Sequence, residues 1–429
     1  MLNRPVLNRP VLNHPVLNHR LLNRRLLDRR VLLLAPLVGA STAYAAPPRH
    51  HGGHHTPAAP PPIGSPATTP LGPIDTLAKF AIIADYNTGA VLLNKDGDVP
   101  MPPSSMVKLM TAYIVYGMLK SGRLQLDQKL PISSHAVSVP AVKEGGSKMF
   151  LNAGDQVSVE DLILGVIVQS GNDACVALAE AIAGSEEGFV ELMNAKAREL
   201  GLKVSTFRNS TGWPDPAQRM SCHDIATLAA RLINDFPEYY KYDNVKHFKY
   251  NNIDQENRNP LVQRGLADGL KTGHTNEGGF GLVASAQRSG RRVIVVVNGL
   301  KTMKERAEES ERLLEWSFRE YENVTLFSAG DAVENAKVWL GSSATVPLVG
   351  GRDLVVTMPR AWRRTAKIAV EYSSPVPAPI NQGDQLGRLI VSGEGVPSLE
   401  IPLLAGADVT KLGLPGRAIA VVSRFVRGT

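Results

Sequence analysis

Cysteine is nearly absent from this 429-residue chain: Cys175 and Cys222 are its only two. A disulfide scaffold is therefore excluded. Each sits in a helix-like apolar pattern, so both read as core thiols rather than a bridge. No apolar run reaches the ~20 residues that a membrane-spanning helix requires. No periodic glycine or sustained heptad supports a collagen-like or coiled-coil reading, and 43% hydrophobic residues exclude wholesale disorder. A genuine excess of basic charge is also missing. The formal net charge is +7, but residues 1–45 hold seven Arg, no Lys, one Asp and no Glu. The remaining chain has 40 basic against 39 acidic residues, or +1. That balance removes the main support for nucleic-acid binding, and no nucleic-acid partner is expected.

Residues 3–32 repeat a five-residue unit, NRPVL, NRPVL, NHPVL, NHRLL, NRRLL, DRRVL. A short apolar run at 31–38 and Ala43-Tyr44-Ala45 follow, the pattern of a secretory signal cleaved near Ala45. The alternatives are an uncleaved anchor or a start placed upstream of the true one, which would have added the repeats; no Met occurs between Met1 and Met101 to choose between them. Residues 46–76 are Pro-rich and read as a semi-rigid linker. His50, His51, His54 and His55 lie there as HHGGHH. No Cys or carboxylate completes a metal site, so the tract reads as solvated linker and neither a metal nor a cofactor is expected.

From residue 77 the pattern becomes globular. Apolar segments 80–85 and 90–94 flank Asn87-Thr88-Gly89 as a hairpin. Helices are expected at 105–120, 172–183, 186–200 and 222–234, the last opened by a Ser221/Asp224 capping box. A second hairpin, 281–287 with 292–298, precedes a charged helix at 304–319. This order predicts an α/β (α+β) domain at 77–322, an antiparallel sheet covered by helices. Short apolar runs separated by Gly, Pro and Ser turns then predict a small all-β domain at 323–412. Residues 413–429 carry Ile419, Val421, Val422, Phe425 and Val426 with Arg417, Arg424 and Arg427, a basic amphipathic segment suited to peripheral membrane contact.

Three short motifs carry chemistry. In Ser105-Met106-Val107-Lys108 the i, i+3 spacing puts the Lys amine above the Ser hydroxyl on one helix face. A desolvated, neutral Lys108 takes the Ser105 proton, and the helix N-terminus favours the anion that develops. Ser104 is out of register with Lys108. Ser170-Gly171-Asn172 ends the apolar run 162–168, opens a helix and presents a hydroxyl and an amide. Lys271-Thr272-Gly273 follows the Asp268-Gly269-Leu270 turn and offers a fixed charge, a hydroxyl and room for a substrate backbone. Each alone is what a helix cap or a surface turn also looks like. Their order and their separations of 65 and 101 residues change the odds.

With the stretches VQSGNDACVALAEAIAGS (168–185), Asn257-Arg258-Asn259 and ADGLKTGHTNEGGFGLVASA (267–286), residues from about 77 to 410 resemble the low-molecular-mass penicillin-binding proteins, the serine D-alanyl-D-alanine carboxypeptidases. The resemblance implies a transpeptidase/β-lactamase-like catalytic domain that removes the terminal D-Ala from peptidoglycan stem pentapeptides in the periplasm and is acylated by β-lactams. It implies Ser105 as nucleophile, Lys108 as proton acceptor, and Ser170 and Asn172 completing the cleft. Lys271, Thr272, Gly273 and His274 would line the substrate strand, with Ser105 and His274 N–H groups as the oxyanion hole. Arg258 and Arg306 would hold the substrate's terminal carboxylate, although Arg306 also fits an exposed helix face beside Glu308 and Glu309. The leader repeats and the His/Pro linker are outside the family pattern. A class A β-lactamase is disfavoured because no E-x-x-L-N segment lies between Asn172 and Lys271 and a β domain follows. An endopeptidase shares all three motifs. A β-lactam-acylated sensor without turnover and a metal-binding surface protein are the remaining alternatives.

Overall fold

Valines alternate along residues 291–300, and the alternation builds the centre of the molecule. Val293, Val295 and Val297 point into one apolar cluster, Ile294 and Val296 into another. A strand hydrophobic on both faces must be covered on both faces. The computed structural model describes residues 64–393 and 399–419. In it β1 (Phe80–Asp85) and β2 (Val91–Lys95) form the first hairpin. The helices α1 (Lys108–Lys120), α2 (Val159–Ile167), α3 (Asn172–Ala183), α4 (Glu186–Glu199) and α5 (Cys222–Asp235) follow. Then come β3 (Gly269–Thr275), β4 (Gly279–Arg288), β5 (Arg291–Leu300) and α6 (Met303–Glu320).

The sheet order is β2-β1-β5-β4-β3, antiparallel throughout. The first and third segments of the domain thus meet at its centre, β1 against β5. The larger helical layer packs on one face, with α1 buried almost all round from Leu109 to Tyr116. Leu313, Leu314 and Trp316 of α6 cover the other. This is the helix-covered antiparallel sheet read from the sequence.

The all-β segment is also present. β6 (Tyr321–Phe327) pairs with β9 (Leu354–Pro359). A second sheet runs β10 (Lys367–Tyr372), β11 (Gln385–Ser392), β12 (Leu399–Ala405), β8 (Thr345–Val349), β7 (Ala332–Trp339), and ends on the two-residue strand Val376–Pro377 parallel to β7. It has its own core around Ala336, Leu348, Leu389 and Leu403.

Several local readings are corrected. The linker does not run to residue 76: Ser65–Ala67 pairs with Ile74–Thr76, and Thr68 bridges Asn94. Pro66 lies within the ladder of a two-stranded sheet, where both strands are edges and a missing N–H costs little, and Pro70 and Pro73 lie in the connecting loop. The apolar run at 162–168 belongs to α2, capped by Ser158. The capping box of α5 is half made. Ser221 accepts from Asp224 N–H, but the Asp224 carboxylate turns outward to Lys203 N, Val204 N and Ser205 Oγ. The Lys-Thr-Gly motif lies inside edge strand β3, and its Gly269 and Leu270 are strand rather than turn. Both cysteines are buried free thiols. The signal, the His tract and residues 420–429 of the basic tail lie outside the described residues. Leu414 and Ile419, at the start of the tail, are exposed. Among the described residues no helix is long and apolar enough to cross a membrane.

Candidate active site

Pro102 and Pro103 deliver the chain into a tight turn, not directly into the α-helix expected at 105. Residues Ser104–Val107 form a 3-10 turn and α1 begins at Lys108. Ser104 has φ +51°, a conformation that costs a non-glycine residue free energy and persists only where neighbours hold it. Its hydroxyl is 2.9 Å from Thr275 Oγ1 of β3. Two glycines press on the same turn. A Cβ on Gly212 would sit 2.0 Å from the Ser104 carbonyl oxygen, and one on Gly273 3.1 Å from the Pro103 carbonyl oxygen and 3.2 Å from Ser105 N. Their missing side chains keep the space before the Ser105 N–H open.

Lys108 is wholly buried. Its Nζ lies 3.1 Å from Ser105 Oγ and 2.7 Å from Asn172 Oδ1, and also donates to the Thr211 carbonyl. Burial, which disfavours the ammonium, lowers its pKa to about 8. A neutral amine has two hydrogens and one lone pair. Asn172 and the Thr211 carbonyl accept the hydrogens, and the lone pair is left facing the Ser105 hydroxyl. Asn172 cannot turn over, because its Nδ2 donates to the Ala141 carbonyl at 2.6 Å.

Thr211 and Gly212 were not singled out from the sequence. Both hang on Asn209 Oδ1, which accepts from Thr211 N, Gly212 N and Trp213 N at 3.2, 2.8 and 3.1 Å. The legible signal was Asn209-Ser210-Thr211-Gly212, an Asx turn closed on glycine.

Ser170 stands at φ +59° and is buried. Gly171, not Ser170, occupies the N-cap of α3 and offers no side chain to it, which removes the helix-cap reading of the motif. Among the described residues the Ser170 hydroxyl has no hydrogen-bond partner, and the bonds of Lys108 go to Ser105, Asn172 and Thr211. Asp173 is not a cap either. It accepts from Met149 N and Leu151 N at 2.9 and 3.1 Å and pins the loop that borders the cleft.

Lys271 is buried, its Nζ 3.3 Å from the Thr272 carbonyl. Burial pushes its pKa well below the ordinary Lys value, and the charges of Lys108 and Arg258 push further. Arg306 is 8% exposed, so the exposed-face alternative is set aside, and its Nε has no partner. Desolvation, then Arg258, lowers its pKa to about 10. Arg258 keeps an open outer face and donates to Ser147 Oγ at 2.7 Å. Protein packed against its inner side lowers its pKa. His274 is exposed and stacks on Phe280, centroids 3.9 Å apart; desolvation and Arg306 hold it toward neutrality.

Two lysines and two arginines therefore face one cleft. The acidic groups nearest Lys108 are committed elsewhere, Asp173 to backbone N–H groups and Glu186 to Ser210 N and Oγ. Such a site is completed by an anion from outside. Cys175 lies beneath it, but burial raises its thiol to about 12, so it stays protonated and takes no nucleophilic part.

A family model described as D-alanyl-D-alanine carboxypeptidase matches residues 66–302. One described as penicillin-binding protein 5, C-terminal domain, matches residues 321–411. The chain is 39% identical over 345 residues to the D-alanyl-D-alanine carboxypeptidase DacC of Escherichia coli, covering 79% of this chain and 86% of that protein. It is 37% identical to DacA of Haemophilus influenzae over 351 residues, 80% of this chain and 88% of the other. The solved penicillin-binding protein 5 of Haemophilus influenzae superposes with a TM-score of 0.73 at 37% identity, covering 79% of this chain and 99% of that one. Penicillin-binding protein D2 of Listeria monocytogenes, solved in a cefotaxime-bound form, gives a TM-score of 0.50 at 28% identity over 57% of this chain and 98% of that one.

Proposed function

The chain belongs to the D-alanyl-D-alanine carboxypeptidase family, and from that membership and the site geometry we propose that it removes the terminal D-Ala of peptidoglycan stem pentapeptides through an acyl-enzyme on Ser105. One observation carries the reading: a wholly buried Lys108 with a pKa lowered to about 8 stands 3.1 Å from the Ser105 hydroxyl. Neutral Lys108 takes the Ser105 proton as Oγ attacks the D-Ala–D-Ala carbonyl. Ser105 and His274 N–H groups receive the oxyanion; losing one such donor typically costs ~2.7–4 kcal/mol of barrier. Lys271 and Thr272 hold the peptide along β3, and Arg306 and Arg258 take its terminal carboxylate. The C–N bond breaks and Lys108 returns its proton to the departing D-Ala amine. Lys108 is then neutral again and positioned to activate the water that hydrolyses the ester. Ser170, free of protein partners, faces the cleft as a proton relay. A β-lactam presents the same acyl group and acylates Ser105.

We further infer export to the periplasm, on the strength of the Arg-rich leader and Ala43-Tyr44-Ala45, and peripheral membrane contact through residues 413–429, on their basic amphipathic pattern. Separate hydrophobic clusters support reading 77–322 as the catalytic domain and 323–412 as a distinct β domain.

The test is D-Ala release from an N-acylated Lys-D-Ala-D-Ala peptide. Wild type is expected to release it, and Ser105→Ala to release none and to take no label from a fluorescent penicillin. Labelling of wild type without release would return the sensor or the endopeptidase reading. Neither release nor labelling would sink the function.

A further inference from the structure

The connection between α4 and α5 lies against the groups that start the reaction, yet residues 208–213 form no helix or strand. Their backbone donors must find partners outside a regular ladder. Oxygens of three side chains accept from every one of them. Gln218 Oε1 takes Arg208 N and Asn209 N at 3.0 and 3.2 Å. Glu186 Oε1, in the first turn of α4, takes Ser210 N at 2.8 Å and Ser210 Oγ at 2.6 Å. Asn209 Oδ1 takes Thr211 N, Gly212 N and Trp213 N, and Thr211 Oγ1 at 3.0 Å. Asn209 Nδ2 and Gln218 Nε2 both donate to the Trp213 carbonyl, each at 3.0 Å.

The turn so fixed meets the catalytic groups at two consecutive residues. Its Ser210 and Thr211 carbonyls both face α1. Thr111 Oγ1 donates to the first at 2.7 Å, and Lys108 Nζ donates to the second. Lys108 and Thr111 lie one helical turn apart, and both are wholly buried. Gly212 follows at φ +82°, and a Cβ on it would stand 2.9 Å from Ser105 N. Residue 211 thus touches the base and residue 212 the oxyanion donor. A lysine amine rotates on a flexible stem, so its lone pair is aimed only as firmly as its acceptors are held. The Ala141 carbonyl holds Asn172. The Thr211 carbonyl is held by the turn.

Resting on the proposed function, we propose that Asn209 and Glu186 are positioning residues for the acylation of Ser105. Asn209 closes Thr211 and Gly212 into one turn, which aims the Lys108 lone pair and sets the Ser105 N–H together. Glu186 fixes Ser210, whose carbonyl seats the turn on α1. Among the described residues, every hydrogen bond of the Asn209 side chain runs to its own turn or to Gln218. It therefore acts through the base and the oxyanion donor and not on the substrate.

The experiment measures kcat and KM for D-Ala release by the purified full chain, with circular dichroism as the check on folding. Asn209→Ala should lower kcat about a hundredfold, the cost of misplacing reacting groups by ~1 Å, with KM within about threefold. Asn209→Asp keeps an oxygen for the same N–H groups, and Gln218 still donates to the Trp213 carbonyl. It should therefore regain at least about tenfold of that loss. Glu186→Ala should lower kcat about tenfold, and Glu186→Gln, which keeps the acceptor, should stay within about twofold of wild type. Wild-type kcat in Asn209→Ala would overturn the proposal. So would a KM that rises as much as kcat falls, or an Asn209→Asp enzyme no faster than Asn209→Ala. If Asn209→Ala does not fold, Glu186→Ala decides: a lowered kcat at unchanged KM sustains the proposal, and an unchanged kcat overturns it. A wild type that releases no D-Ala would bring down the proposed function, and this inference with it.

Discussion

At the residue scale, the chemistry depends on one amine made neutral. Burial lowers Lys108 from 10.5 to about 8, so below that pH the neutral fraction falls tenfold per unit. The rate of acylation by a penicillin is expected to rise with pH up to about 8 and then level off. A stopped-flow profile between pH 6 and 9.5 checks this, and a flat profile would remove Lys108 as the base. The stability linkage has the same origin. Between about pH 8 and 10.5 the unfolded chain holds a proton on Lys108 that the folded chain has released. This residue's contribution to stability therefore rises with pH through that window, and below it the cost of a buried ammonium is carried in full. Ser105, Lys108 and Asn172 were legible because i, i+3 spacing and a helix N-terminus are local. Thr211 was not, because it acts through a backbone carbonyl, which every residue has.

At the element scale, the site is a junction of segments far apart in sequence. α1 supplies Lys108, the start of α3 supplies Asn172, and edge strand β3 supplies Lys271. Asp173 fastens α3 to the loop at 149–151 by accepting from two backbone N–H groups. Asp173→Ala leaves those buried donors unpaired, at ~1–3 kcal/mol each. Urea unfolding should show a loss of about 2–6 kcal/mol, and an unchanged midpoint would show that the loop is held some other way. The helix ends at Ala183 and Glu199 were readable because Gly184 and Gly201 follow at φ +79° and +72°. The carboxylate of the α5 capping box was misread, since Asp224 found three donors in another loop.

At the scale of the whole molecule, a buried ion pair ties the catalytic sheet to the β domain. Arg291 Nε lies 2.7 Å from Asp85 Oδ2, and both side chains are almost fully enclosed. Asp85 Oδ1 accepts from Asn323 Nδ2 of β6, while Arg291 donates to the Ser317 and Tyr321 carbonyls. Asp85→Ala strands a guanidinium in the interior, which typically costs ~3–5 kcal/mol. Chemical denaturation is expected to show that loss, and a change below about 1 kcal/mol would mean that the pair behaves as a surface bridge. Neither partner stood out in the sequence, because the two are 206 positions apart and each looks like an ordinary strand-end charge.

The sequence alone determined the order of elements, the alternation that buries the sheet on two faces, and three motifs whose residue types name the chemistry. Those are local properties: periodicity, capping and i, i+3 spacing need no partner from elsewhere in the chain. The tertiary structure decided the lowered pKa of Lys108, the contact of Gly212 with the Ser104 turn and the burial of Arg306. Each depends on what distant segments bring within a few ångströms. Desolvation and charge coupling act through space, and spacing along the chain does not record them.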